Sequence, residues 1–307
     1  VSSPIILILN VLLAPIVAFI IAGFYYGFYR RFTARIHRRW GPPIYQNFAD
    51  NIKLYSKVEA ASHGLMFHLG PVIMAAGSVT SLLFIPFFNN SVWFSGVSEY
   101  GNLILITYLM VVGPLGNALS VGAGGNPFGV MGVVRGLTRL IGLEIGMYIA
   151  IGLLMAVSGT TSLTKIISFQ VESGTWNMVE HPLIFIISLF SFVGFMGASP
   201  FDVVGAPTEV YSGPVAEFGS KYLGILMSQR LMFSFAKLLL WVNLFLGGAS
   251  NILELLGKTF ALFLFEISIG SVFPRFKVEQ AVDFLWKIPA LLGLLAGVLM
   301  FFNGGVV

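Results

Sequence analysis

The chain has no cysteine in its 307 residues. That absence excludes disulfides, thiolate-held zinc and cysteine-ligated iron-sulfur clusters from this polypeptide. Charge is scarce as well. Asp, Glu, Lys and Arg make up 10% of the residues, too few to keep soluble a chain that is 57% hydrophobic and carries 29 phenylalanines. The formal net charge of +4 is too small to argue for a nucleic-acid partner. GAGGN at 122–126 lacks the Gly-Lys-Ser/Thr ending of a phosphate loop, and no nucleophile stands beside a plausible base. His37, His63, His68 and His181 follow no metal-ligand spacing, so no metal site is expected. No soluble stretch is large enough for a catalytic cleft, and the chain is not expected to be an enzyme by itself.

What is present is apolar sequence in long runs, with a mean hydropathy of +0.89. About eight runs are long enough to cross a hydrocarbon core roughly 30 Å thick, at 5–28, 65–88, 102–122, 136–157, 182–198, 224–246, 252–272 and 288–302. The expected fold is therefore all-α, a polytopic membrane protein forming one membrane domain over 1–307. The first run is too long for the apolar core of a signal peptide and is expected to be retained as a span. Fourteen of the seventeen Lys and Arg residues fall in alternate connections: seven in the loop 30–63, then Arg135 and Arg139, Lys221 and Arg230, and Arg275, Lys277 and Lys287. Lys165 and Lys258 alone lie on the other side. The positive-inside rule then puts the four basic connections in the cytoplasm and both termini outside.

Two loops stand out. In the basic loop, GPP at 41–43 breaks the chain, and Ile44, Phe48, Ile52 and Tyr55 then recur near helical spacing with Lys53 and Lys57 beside them, predicting an amphipathic cytoplasmic helix. The five arginines from Arg30 to Arg39 suit either an anchor to anionic headgroups or a docking surface for carboxylates of a partner. The acidic loop, 199–223, places Asp202, Glu209 and Glu217 between two apolar spans. It reads either as a solvated connector or as a loop that folds between helices and lines a polar cavity.

Three further ionisable residues lie inside expected spans: Glu144, Lys237 and Glu266. Each is expensive to bury in lipid and calls for a partner, and Lys237 with either glutamate is the evident pair. Such a pair serves equally as a helix lock or as part of a proton relay. His68, at the start of the second run, suits a proton shuttle or a satisfied interfacial side chain.

Several strings resemble the NuoH family, the membrane subunit of respiratory complex I nearest its redox arm. RIHRRWGPP at 35–43, ADNIKLYSK at 49–57 and LLFIPFF at 82–88 are similar to the family's opening. GGNPFGVMGVVRGLTRLIGLEI at 124–145 resembles its small-residue turn, Arg-bearing helix start and buried glutamate; PFD at 200–202 resembles its most diagnostic loop; and FPRFKVEQAVDFLWK at 273–287 resembles its last cytoplasmic loop. Departures are informative. Gly205 and Pro207 stand where quinone-reducing members have further glutamates, the first loop is compact, and Ile269-Gly270 occupies a region where an arginine often precedes Phe-Pro-Arg.

Taken together, the resemblance points to membrane-bound nickel-iron energy-converting hydrogenases and related ferredoxin-linked complexes. It implies a non-catalytic coupling subunit in a prokaryotic plasma membrane. A soluble module reducing protons, or a related acceptor such as sulfur, is linked through it to H+ or Na+ translocation. The implied partners are soluble iron-sulfur and hydrogenase-like large and small subunits on the cytoplasmic face, antiporter-like membrane subunits and the lipid bilayer. 4Fe-4S clusters and a NiFe centre are implied in those partners, with no cofactor on this chain. Resemblance and buried charge together give the expected ion path, Glu144, Glu209 and Glu217 with Asp202, Lys237 and Glu266 in support, and the charge asymmetry with the resemblance gives the docking residues Arg35, Arg38, Arg39, Arg275 and Lys277. A quinone site and, in a different class, a stand-alone secondary ion transporter are the alternatives.

Overall fold

The computed structural model describes residues 4–58, 64–89, 94, 97–204 and 212–302. In chain order its helices are α1 (Pro4–Ile36), α2 (Gln46–Tyr55), α3 (Leu65–Phe84), α4 (Leu103–Gly124), α5 (Pro127–Ser158), α6 (Leu163–Ser173), α7 (Asn177–Glu180), α8 (Pro182–Met196), α9 (Ser220–Phe245), α10 (Ile252–Val272) and α11 (Val278–Phe302). Short 3-10 helices lie at Ser98–Tyr100 and Gly213–Glu217. Among the described residues there is no strand, only one antiparallel bridge between Asn102 and Ser162. The fold is all-α, as lipid requires of a chain whose backbone groups must be satisfied within each crossing segment.

Each of the eight expected spans contains a helix. Six of these helices, α1, α3, α4, α5, α9 and α11, are long and apolar enough to cross a membrane by length and composition. Of the other two, α8 has only 15 residues, and α10 has 21 residues with Glu254, Lys258 and Glu266 among them. The amphipathic helix after the Gly-Pro-Pro break is α2, held on α1 by Phe48, whose ring meets Phe19 and Phe24 edge-on at 5.6 and 5.2 Å.

The bundle is built around α9, in which every residue from Phe233 to Phe245 is buried. It packs against α1, α2, α3, α6, α8 and α10. Around it, α3 and α4 form a tight hairpin. Gly70 faces Gly116 and Ser120, Gly77 faces Gly113, and the Ser120 hydroxyl donates to the Phe67 carbonyl at 2.7 Å. Small residues are what allow such an approach where lipid supplies no hydrophobic drive between helices.

Two departures from expectation have physical causes. α5 begins at Pro127, nine residues before the apolar run at 136, because Asn126 caps it by accepting from the Phe128 N–H and Pro127 occupies the first turn. Arg135 and Arg139 therefore lie on a helix rather than in a loop. The Ser- and Thr-rich segment between the runs 136–157 and 182–198, where no span is expected, holds α6, whose Leu163, Ile166, Ile167 and Gln170 form a buried face at helical spacing.

Candidate functional site

On the basic side of the bundle a cavity of about 270 Å³ opens between α4, α5, α9 and the acidic loop. Its polar lining is Asn117, Arg139, Asp202, Gln229, Arg230, Ser234 and Lys237. Val204, Ser212, Pro214 and Val215 also line it, so the described parts of the acidic loop fold inward against helices rather than standing in solvent.

Each charge has a specific support. Arg139 donates through Nη1 to the Phe201 carbonyl at 3.1 Å. Lys237 donates to the Phe195 carbonyl, the last turn of α8, and lies over the Phe195 and Phe233 rings at 4.7 and 4.3 Å from their centroids. Arg230 stands over the Tyr26 ring at 5.9 Å, and Tyr26 itself is hydrogen-bonded to Ser234 at 2.8 Å. Glu266, from α10, is buried within electrostatic range of Lys237 and Arg230, and its Oε2 has no hydrogen-bond partner among the described residues. The cluster thus sets three cations, Arg139, Arg230 and Lys237, against the carboxylates of Asp202 and Glu266.

Asp202 joins this interior to the surface. It pairs with Arg275 at 2.8 Å. The same loop is tied down by the Phe276 N–H donating to the Pro200 carbonyl at 2.8 Å and by Phe201 packed against Phe276 and Phe284. Arg275, read from the sequence as a partner-docking residue, is partly exposed and engaged in this intramolecular ion pair. Lys277, Arg35, Arg38 and Arg39 are exposed, with Arg35 over the Trp40 ring at 4.5 Å.

Of the six ion-path residues expected from the sequence, Asp202, Lys237 and Glu266 come together here. Lys237 is not in an ion pair with either glutamate among the described residues; a carbonyl and two aromatic faces take its charge instead. Glu144 lies elsewhere. It is half-buried on the outer face of α5, one turn from Tyr148, which is also within electrostatic range of Tyr108 on α4. Because α5 starts early, Glu144 is seventeen residues past Pro127, about 26 Å along the axis, rather than near the helix start. Glu217 ends the second 3-10 helix, packed where α4 turns into α5: a Cβ on Gly124 would meet its carboxylate. Glu209, with Gly205 and Pro207, lies outside the described residues.

Sequence reasoning misses Arg139, Arg230 and Tyr26. Both arginines were counted with the basic connections although they lie just inside the spans 136–157 and 224–246; the signal that singles them out is an arginine ten or more residues inside an apolar helix, at Arg139 in α5 and Arg230 in α9.

The fold and site define a polytopic α-helical membrane protein with a charged cavity on its basic face. The particular family is shown by a family model described as NADH dehydrogenase, which matches residues 8–301; the chain belongs to it. Among solved structures it is similar to a chain of the membrane-bound sulfane sulfur reductase, an archaeal respiratory membrane complex, with 34% identity, a TM-score of 0.88, and coverage of 95% of this chain and 99% of that one. Among curated relatives it is 26% identical over 287 residues to a subunit of the F420H2 dehydrogenase of Methanosarcina mazei, covering 84% of this chain and 82% of the relative. It is 33% identical over 203 residues to hydrogenase-4 component C of Escherichia coli, covering 64% and 62%. The chain is a membrane subunit of the complex I-like kind.

Proposed function

We propose that this chain is the anchoring and coupling subunit of a ferredoxin-linked respiratory complex in a prokaryotic plasma membrane, with its basic face in the cytoplasm and both termini outside. Its soluble partners are iron-sulfur and hydrogenase-like subunits carrying the 4Fe-4S clusters and a NiFe or related centre, which reduce protons or a sulfur acceptor. Its membrane partners are antiporter-like chains that move H+ or Na+. The observation that carries this reading is the Arg275–Asp202 contact, which joins the partner-facing loop to the buried charges of Arg139, Arg230, Lys237 and Glu266. The likeness to the sulfane sulfur reductase chain over nearly its full length supports it.

In this reading the chain's own work is electrostatic. Both partners of the clamp are partly exposed, so the ion pair is worth no more than about 1 kcal/mol and a docked subunit that competes for Arg275 releases Asp202. Freed, Asp202 changes the field at Arg139 and Arg230 in a medium where charges are weakly screened. Redox state in the soluble arm then reaches the intramembrane cluster with no electron passing through this chain.

The test is the triple variant Arg35→Glu, Arg38→Glu and Arg39→Glu in the assembled complex. It should release the soluble arm while the chain remains inserted; an arm that stays bound makes the basic loop a lipid anchor only. A quinone site is the second reading, favoured by relatives named as parts of NADH-quinone oxidoreductase at 26–27% identity. Stoichiometric quinone extracted from the purified complex, with turnover blocked by quinone-site inhibitors, would promote it over the first.

A further inference from the structure

A second cavity, of about 540 Å³, lies on the same basic side between α1, α2 and α9, and the ion path does not use it. We propose that it binds the headgroup of an anionic phospholipid from the adjoining leaflet. Arg30, Lys53, Lys57 and Arg230 line it against one carboxylate, Asp50. Asp50 is already occupied: it accepts from Gln46 at 2.7 Å and pairs with Arg30 at 3.0 Å. Lys53 and Lys57 have no ion pair among the described residues, and Arg230 contributes its charge to both cavities. Two lysines without an ion pair, beside Arg30 and the shared Arg230, around one concave space at the membrane surface suit a phosphodiester, which accepts from several donors at once.

The walls are fixed. Asn47 donates to the Gly23 carbonyl at 3.1 Å, Tyr55 is hydrogen-bonded to Ser228 at 3.1 Å, and Ser228 donates to Asn51 at 3.3 Å, so α2 is tied to both α1 and α9 around the opening. Leu54, Met227 and Leu231 give the lining an apolar side for a glycerol backbone. The neighbouring surface says lipid rather than a free anion. α1 exposes Ile20 and Phe24 and α2 exposes Ile52, a wall for acyl chains, and exposed Trp40 and Tyr45 mark the headgroup level.

The experiment uses the intact complex reconstituted in nanodiscs of equal phosphatidylglycerol and phosphatidylcholine, re-extracted in mild detergent and weighed by native mass spectrometry. Phosphatidylglycerol should stay bound and phosphatidylcholine should not. Lys53→Gln with Lys57→Gln should weaken phosphatidylglycerol retention roughly 30-fold, two cations at about fivefold apiece. Asp50→Asn should leave retention equal or raise it, because it frees Arg30. An excess of inorganic phosphate should not displace the lipid. Equal retention of both lipids, unchanged retention in the double lysine variant, a fall in Asp50→Asn, or displacement by phosphate alone overturns the proposal. Assembly is read in the same spectra, and the direction of the Asp50→Asn change decides the matter should the lysine variant fail to assemble.

Discussion

Lys237 shows how a buried charge is held with no counter-ion in contact. Its ammonium is placed by a backbone carbonyl and two aromatic faces, interactions that orient a cation but leave it free to respond to Glu266 and Arg230 nearby. Replacing it by an apolar side chain of similar length separates packing from charge. Lys237→Met is expected to leave the complex assembled and electron transfer in detergent near wild type, while ion translocation in sealed vesicles falls by about 10²-fold, the scale of losing a positioned proton-transfer group. Equal loss of both activities together with a lower melting temperature would make the lysine a packing element. A neighbouring contrast tests the placement of Glu217. Gly124→Val forces a side chain into its carboxylate and should cost about 1–3 kcal/mol, read as a lower melting temperature. Gly122→Ala, with nothing within 4 Å, should be neutral or stabilising by up to about 1 kcal/mol. Lys237 and Glu266 were legible in the sequence because each interrupts an apolar run. Arg139 and Arg230 were not, because each sits near a run's edge, where a loop and a helix read alike.

At the scale of elements, the apolar runs foretold the helices well because length and hydropathy are what a bilayer selects for, and α2 was legible from its period after Gly-Pro-Pro. α6 escaped for the same reason: it is too short and too polar to span, and a search tuned to bilayer-length runs passes over it. Its importance lies in Gln170. The side chain amide donates to the Asn243 and Leu244 carbonyls at 3.0 and 3.2 Å and accepts from the Asn177 and Gly247 N–H groups at 3.1 and 3.0 Å. It thereby satisfies the C-terminal end of α9, which is buried. Gln170→Leu keeps the volume and strands those groups, and should destabilise the protein by on the order of 3 kcal/mol, with faster hydrogen exchange confined first to residues 243–247. Ser168→Ala, which removes only a bond to the Thr164 carbonyl within the same helix, should change neither.

At the scale of the whole molecule, the described residues of the expected ion path face different ways. Asp202, Lys237 and Glu266 point into the bundle, whereas Glu144 is half-buried on the α4–α5 wall, among Tyr108, Ile141 and Tyr148, which are 68, 57 and 38% exposed. Sequence position placed Glu144 inside a span but gave neither its distance from the helix start nor its direction, since α5 begins nine residues early and a helix with little amphipathic pattern does not say which side a lone carboxylate takes. A carboxylate at mid-span facing lipid is costly, and such residues face protein or water in folded membrane proteins. We propose that in the complex this wall is covered by a membrane neighbour, of the antiporter-like kind, which puts Glu144 at the hand-over between subunits. A photo-crosslinking side chain at Ile141 should capture an antiporter-like membrane chain in the intact complex, and one at Leu291 on the far α11 surface serves as the comparison. Glu144→Gln keeps shape and hydrogen bonding while removing the ionisable group. It should stop ion translocation coupled to turnover and spare electron transfer measured in detergent. Normal pumping by Glu144→Gln in a fully assembled complex would reduce this glutamate to a packing contact and leave the path to run through Lys237 and Glu266 alone.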